Sequence, residues 1–170
     1  MGSTGQQLEV VYDTGSDWLC VESIDCKNGR AQKFNYNDSK SLVRLESEES
    51  RREYGSAVLN GVEVKDITCL APYSSAEISG GSAALCKPDF EWFMVSSERG
   101  LNDDYAGVIG LARSKFKPGE GERDEGPLLV KEMADDGVLD ANVFAIYMTS
   151  KEEEEKQGLS SFIDFGAIKE

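Results

Sequence analysis

The chain has 170 residues, a formal net charge of −14 and no histidine. That length supports one sizeable core, while the missing imidazole excludes Ser-His-Asp and Cys-His nucleophile systems and histidine-built zinc sites. The charge repels nucleic-acid phosphates, and the few basic residues, such as Arg51 and Arg52, form no offsetting stripe.

Apolar residues come in short blocks, none near the length that crosses a bilayer, and no basic-then-apolar leader opens the chain. The expectation is a single soluble domain with neither a nucleic-acid nor a membrane partner. The four cysteines at positions 20, 26, 69 and 86 contain no C-x-x-C pair, so no metal or other cofactor is expected. Oxidised, they allow three pairings; reduced, they are buried thiols of a cytosolic protein. The acidity serves solubility, or suits an acidic compartment where protonation relieves self-repulsion.

In chain order, Leu8, Val10 and Tyr12 alternate with Glu9 and Val11, the period of a strand, and lead into the turn-prone Asp13-Thr14-Gly15-Ser16. A second strand leaves that turn around Trp18 to Val21. From Asp25 to Asp38 the composition is that of an irregular surface stretch anchored by Phe34 and Tyr36. Two β-prone runs follow between Glu53 and Leu70, and read locally the Asn60-Gly61 pair between them signals a type I′ hairpin. Ser74 to Ala84 reads as a loop before an aromatic strand, Phe90 to Val95.

Phe116 to Gly126 is Gly- and charge-rich, hence a loop. Pro127 to Asp136 predicts a helix with Pro127 at its first position and Gly137 as its stop. Val143 to Met148 is apolar on both faces and predicts a buried strand. The Lys151 to Gln157 run reads as a solvated hairpin tip, since clustered glutamates without ligand spacing are not a cation site. Phe162 to Phe165 is the returning strand.

An Asp-Thr-Gly triplet at the end of an apolar strand is suited to a catalytic turn. Glycine lets the backbone approach closely while the carboxylate is held at one point. The surrounding segments carry a broader likeness. Gly2-Ser3-Thr4-Gly5-Gln6, Val10 to Asp17, Phe34 to Ser41, Tyr54-Gly55-Ser56, Tyr105 to Leu111, Phe144 to Tyr147 and Phe162 to Gly166 resemble, in order, motifs of the pepsin-like (A1) aspartic proteases. The resemblance implies a mostly β fold with short helices, one lobe of the bilobal acid-protease architecture. Residues 1–170 would be the amino-terminal catalytic lobe, with the first strand and the second lobe absent.

It also implies roles. Asp13 would be one of two catalytic aspartates, with Thr14 and Gly15 supporting its loop and Ser16 hydrogen-bonding its outer oxygen. Tyr54, Gly55 and Ser56 would belong to a flap over the substrate, with the flap tip near Gly55 to Ala57 and Asn60-Gly61 inside the returning strand. That register competes with the local hairpin reading and is preferred. Val108-Ile109-Gly110 would pack behind the catalytic loop. The activity implied is aspartic endopeptidase, acting on peptide or protein substrates and sensitive to pepstatin-type inhibitors, in a secreted or lysosomal/vacuolar, acidic setting.

There are departures from the pattern. No second Asp-Thr/Ser-Gly follows Asp13, so a separate or missing second lobe must supply the other carboxylate, or two copies pair. The family's flap-bracing tryptophan falls at Cys20, which removes that hydrogen bond, with Trp18 partly replacing its bulk. Ala106 replaces a usual aspartate. Cys26 falls where the family often has the first cysteine of a short disulfide loop, but the expected partner shortly after it is absent; Cys20 would pair with it instead, leaving Cys69 with Cys86. The alternatives are a catalytically inactive pepsin-like binding, inhibitor or structural subunit, and an acidic β-domain that binds a protein through an exposed edge.

Overall fold

The computed structural model describes residues 1–27, 32–45, 48–54, 57–72, 74, 76, 85–101, 104–113 and 126–167. They form two compact units, Met1–Leu129 and Val130–Glu170. No helix among the described residues is long and apolar enough to cross a membrane.

In the first unit, seven strands build one mixed sheet. They are β1 (Val10–Asp13), β2 (Leu19–Glu22), β3 (Val43–Arg44), β4 (Ser50–Tyr54), β5 (Ala57–Cys69), β6 (Cys86–Arg99) and β7 (Gly107–Gly110). Their order is β1-β7-β2-β6-β5-β3, and β4 pairs with β5 off this path. β1 runs parallel to β7 with Asp13 opposite Gly110, while β2 runs antiparallel to β7 with Leu19 opposite Ile109. The expected Phe34 anchor is fully buried and meets Trp92 edge-on at 5.3 Å. Burying side chains of that size supplies about 1.5–3 kcal/mol each.

Between the two strand registers proposed for residues 53–70, the structure has the chain reversing between Tyr54 and Ala57, which are directly paired. Asn60 and Gly61 lie inside β5, where the pairing to β6 shifts by a bulge. The extra residue there is Ser96 on β6, since Asn60 is opposite Ser97 and Gly61 is opposite Val95. A Cβ on Gly61 would stand 2.1 Å from the Met94 carbonyl oxygen. The glycine that signalled a turn is thus needed for close strand approach.

A disulfide joins Cys69 to Cys86, the facing ends of β5 and β6. The expected Cys20–Cys26 bridge is not formed: both are buried free thiols. They pack with Trp18, Leu59, Phe93 and Val95, and behave as small core hydrophobes.

The helix α1 (Leu129–Asp135) is shorter than expected and leaves Pro127 outside it. Its stop is the one expected: Gly137 takes φ +73° and donates its N–H to the Ala134 carbonyl. β8 (Phe144–Tyr147) and β9 (Phe162–Phe165) form a two-stranded antiparallel ribbon. β8 is not the buried strand its composition suggested. Ile146 and Tyr147 are exposed, as are Met148 and Phe162, because a ribbon of two strands leaves a face uncovered.

The link between β8 and β9 is also not a simple hairpin tip. It folds as helix α2 (Lys151–Gln157), with Ser150 and Glu153 forming a reciprocal capping box and Gly158 a left-handed C-cap. The Ser-x-x-Glu signature, together with a Glu152–Lys156 ion pair one turn apart, explains why an acidic run is helical here.

Candidate active site

Asp13 closes β1, and its turn is fixed from behind by the end of β7. Leu111 N–H donates to the Asp13 carbonyl at 2.7 Å, Gly110 N–H to the Trp18 carbonyl at 3.0 Å and Ala112 N–H to the Ser16 carbonyl at 2.9 Å. Gly110 is pressed against the turn so closely that a Cβ there would lie 2.3 Å from the Asp17 carbonyl carbon. Val108-Ile109-Gly110 therefore sits directly behind the turn.

The Asp13 carboxylate is oriented locally, because the Gly15 N–H donates to Oδ1 at 2.9 Å. Gly15 also admits this oxygen closely: an added Cβ would be 3.2 Å from it. Ser16 does not make the bond expected of it. Its Oγ is buried and has no hydrogen-bond partner among the described residues, and the backbone of Gly15 serves Asp13 instead. Asp17 braces the far side of the turn, accepting from Trp18 N–H at 3.0 Å and Gly126 N–H at 2.7 Å.

Tyr54 ends β4 and comes to the same place as Asp13. Both line a cavity of about 220 Å³ whose remaining wall includes Val11, Leu59, Leu101, Tyr105 and Val108. The composition of that wall suits an apolar side chain. A second cleft of about 500 Å³ lies between the turn at Gly15 to Trp18 and β4 residues Arg51 to Tyr54. Gly55 and Ser56 lie outside the described residues. Thr14 follows Asp13 in the turn.

The brace on Tyr54 differs from expectation. The position where the family's tryptophan would fall is occupied by Cys20, whose Sγ meets the Tyr54 hydroxyl at 3.2 Å. A hydrogen bond is therefore present, made by sulfur. Burial pushes the Cys20 thiol up to about 12, a shift that the Tyr54 bond and the nearby Arg52 partly oppose. Tyr54 is also raised, by burial first and by its contact with Cys20 second.

Sequence reasoning did not single out Arg52, which the structure places beside this pair. Its guanidinium lies 3.7 Å from the Trp18 ring centroid and 4.6 Å from that of Phe93, and it forms an ion pair with Glu63. The signal was available in the alternation of Ser50 to Tyr54, which puts Arg52 and Tyr54 on one face.

A two-aspartate hydrolase needs a rigidly held carboxylate, a gap beside it and a lid. This sheet is that of one pepsin-like lobe, and its turn holds the Asp13 carboxylate beside a cavity that Tyr54 also lines. The family model for eukaryotic aspartyl protease matches residues 1–170, and the chain belongs to that family. It is similar to gastricsin of Oryctolagus cuniculus, 29% identical over 89% of this chain and 36% of that protein. It is likewise similar to secreted aspartic protease 3 of Candida albicans, 25% identical over 99% of this chain and 39% of that protein. A third relative is the probable aspartic-type endopeptidase CTSD of Arthroderma benhamiae, 26% identical over 99% of this chain and 30% of that protein. The chain thus spans well under half the length of these relatives.

Proposed function

We propose that this chain is the amino-terminal catalytic lobe of an aspartic endopeptidase, with Asp13 as one of two aspartates that hold and activate a water. The supporting observation is the convergence of Asp13 and Tyr54 on one apolar-walled cavity, with the carboxylate aimed by the Gly15 N–H. Thr14 belongs to the same supporting turn, and Tyr54, with Gly55 and Ser56 following, forms the lid over bound peptide.

Two close carboxylates cannot both ionise cheaply, so one keeps its proton while the other is a base. The ionised carboxylate takes a proton from the water, whose oxygen bonds to the scissile carbonyl carbon. The protonated carboxyl gives its proton to the carbonyl oxygen. Collapse of the tetrahedral species breaks the C–N bond and returns a proton to the leaving nitrogen. The second carboxylate comes from another lobe or chain, because no other Asp-Thr/Ser-Gly is present in this sequence.

A need for such a partner is also supported by the ribbon β8–β9. It exposes Ile146, Tyr147, Met148 and Phe162 on a chain that is otherwise strongly acidic. The Cys69–Cys86 bridge, and a relative that bears the word secreted in its name, support an oxidising, secreted or lysosomal/vacuolar location. The second reading is an inactive pepsin-like binding or structural subunit, favoured by the single aspartate motif.

The test is the native mass of the particle, its binding of a pepstatin-type inhibitor, and peptide cleavage before and after Asp13→Asn. The substituted amide keeps an oxygen for the Gly15 N–H, so folding is retained. The expected result is a second aspartate-bearing lobe in the particle and loss of cleavage. Cleavage unchanged by the substitution, or a particle with no second aspartate, would leave the binding reading.

A further inference from the structure

β4 is a five-residue strand that, among the described residues, pairs with β5 alone, so one backbone ladder holds it. Its inward face carries Arg52 and Tyr54, two residues apart, and these meet Trp18 and Cys20, also two residues apart on the segment leaving the Asp13 turn. The pairing repeats side by side: guanidinium on indole, then hydroxyl on thiol. Two adjacent face contacts thus hold a strand that lacks a second ladder.

The Arg52 contact has features that a surface arginine lacks. Its side chain is only 11% exposed, against 59% for the neighbouring Arg51. A guanidinium this withdrawn from water is tolerated only when its charge is met, and Glu63 on β5 meets it while the Trp18 and Phe93 rings take its faces. Trp18 is in turn wedged: an added Cβ on Gly126 would lie 2.5 Å from its ring. The planar fork of arginine serves both the carboxylate and the ring, which a lysine ammonium cannot do.

We infer that Arg52 is a positioning residue: by clamping β4 onto Trp18 and Glu63, it fixes the register in which Tyr54 closes over Cys20 and the cavity beside Asp13. The role rests on reading Tyr54 as the lid. It separates the lid's placement from the chemistry, since Arg52 does not line the cavity that Asp13 and Tyr54 share.

The closing experiment uses the Cys20 thiol as its own reporter, with no need for catalysis. The full chain is labelled with a maleimide under native conditions, and the rates at Cys20 and Cys26 are resolved by peptide mapping. The double substitution Arg52→Met with Glu63→Leu removes the clamp without leaving a buried charge alone; Arg52→Lys keeps the charge and loses the planar stack. Loss of a desolvated cation–π contact should speed Cys20 labelling about tenfold in the double variant, less in Arg52→Lys, with Cys26 unchanged. Equal acceleration of both thiols would assign Arg52 to general stability, and acceleration of neither would remove it from lid placement. Either overturns the inference. Since cleavage is not measured, failure of the peptidase reading shows separately, as Asp13→Asn without effect.

Discussion

The Cys20 Sγ and the Tyr54 hydroxyl stand 3.2 Å apart, so the tyrosine proposed as the lid is held by a thiol. Cys20→Ser keeps a hydrogen-bonding group at that point and should leave inhibitor binding by the assembled particle within about twofold of the parent. Cys20→Ala removes the partner and opens a small void, a loss of about 1–2 kcal/mol by urea unfolding. Cys20→Trp should be worse, because Trp18 and Phe93 already fill this corner, and overpacking costs about 1–3 kcal/mol. A Cys20→Ala protein as stable as the parent would show that the contact holds nothing.

The same thiol carries a pH signature. Its ionisation is raised from 9.0 to about 12, chiefly by burial. A raised value means the neutral thiol is the form the fold favours. The resulting stabilisation is complete below pH 9 and is lost as pH climbs toward 12. Unfolding free energy should therefore decline over that window, and less so in Cys20→Ser. Iodoacetamide should add to two cysteines in denaturant without reductant and to four after reduction, matching one disulfide and two free thiols. Four additions without reductant would eliminate the Cys69–Cys86 bridge.

The strand into the Asp13 turn and the segment packed behind it were legible because they depend on local rules: apolar alternation into Asp13, a glycine two residues on, and the Val-Ile-Gly run that backs them. Asn60-Gly61 misled when read alone, since a glycine required by a passing backbone looks the same in sequence as one required by a turn. The family resemblance chose correctly because it placed the reversal by the spacing of several motifs. Cysteine pairing was legible only in part: Cys69 is bridged to Cys86 as expected, but Cys20 and Cys26 are not joined. Cys20 and Cys26 are close in sequence, yet one faces Tyr54 and both pack as core residues. Arg52 was weighed only as one of the few basic residues, because its burial depends on Trp18, Phe93 and Glu63 from three other segments.

Helix α2 supplies an acid-side prediction. The Glu153 carboxylate is held below its usual 4.5 by the Ser150 N–H first and the Ser150 hydroxyl second. A lowered value means the charged form is the one the cap favours. Its contribution is present above pH 4.5 and is lost as pH falls through the folded-state value. The Ser150 amide proton resonance should titrate over that range and lose protection from exchange at its acid end. In Glu153→Gln the amide should show no such titration. A Ser150 amide indifferent to pH in the parent would mean the capping box is not formed in solution.

Two glycines separate backbone approach from backbone conformation. Gly110 carries no positive φ, but a Cβ there would meet the Asp17 carbonyl carbon at 2.3 Å and Cα at 2.5 Å. Both are backbone atoms, so no rotamer change relieves the clash, and the strand or the turn must move. Because Gly110 is the register partner of Asp13, that movement reaches the carboxylate. Gly110→Ala should cost more than about 3 kcal/mol or prevent folding. Gly137→Ala meets nothing within 4 Å and suffers only from its φ of +73°, a cost of about 1–2 kcal/mol. Urea unfolding of the two variants orders them. A Gly110→Ala protein no less stable than Gly137→Ala would mean that β7 does not press on the Asp13 turn as closely as described.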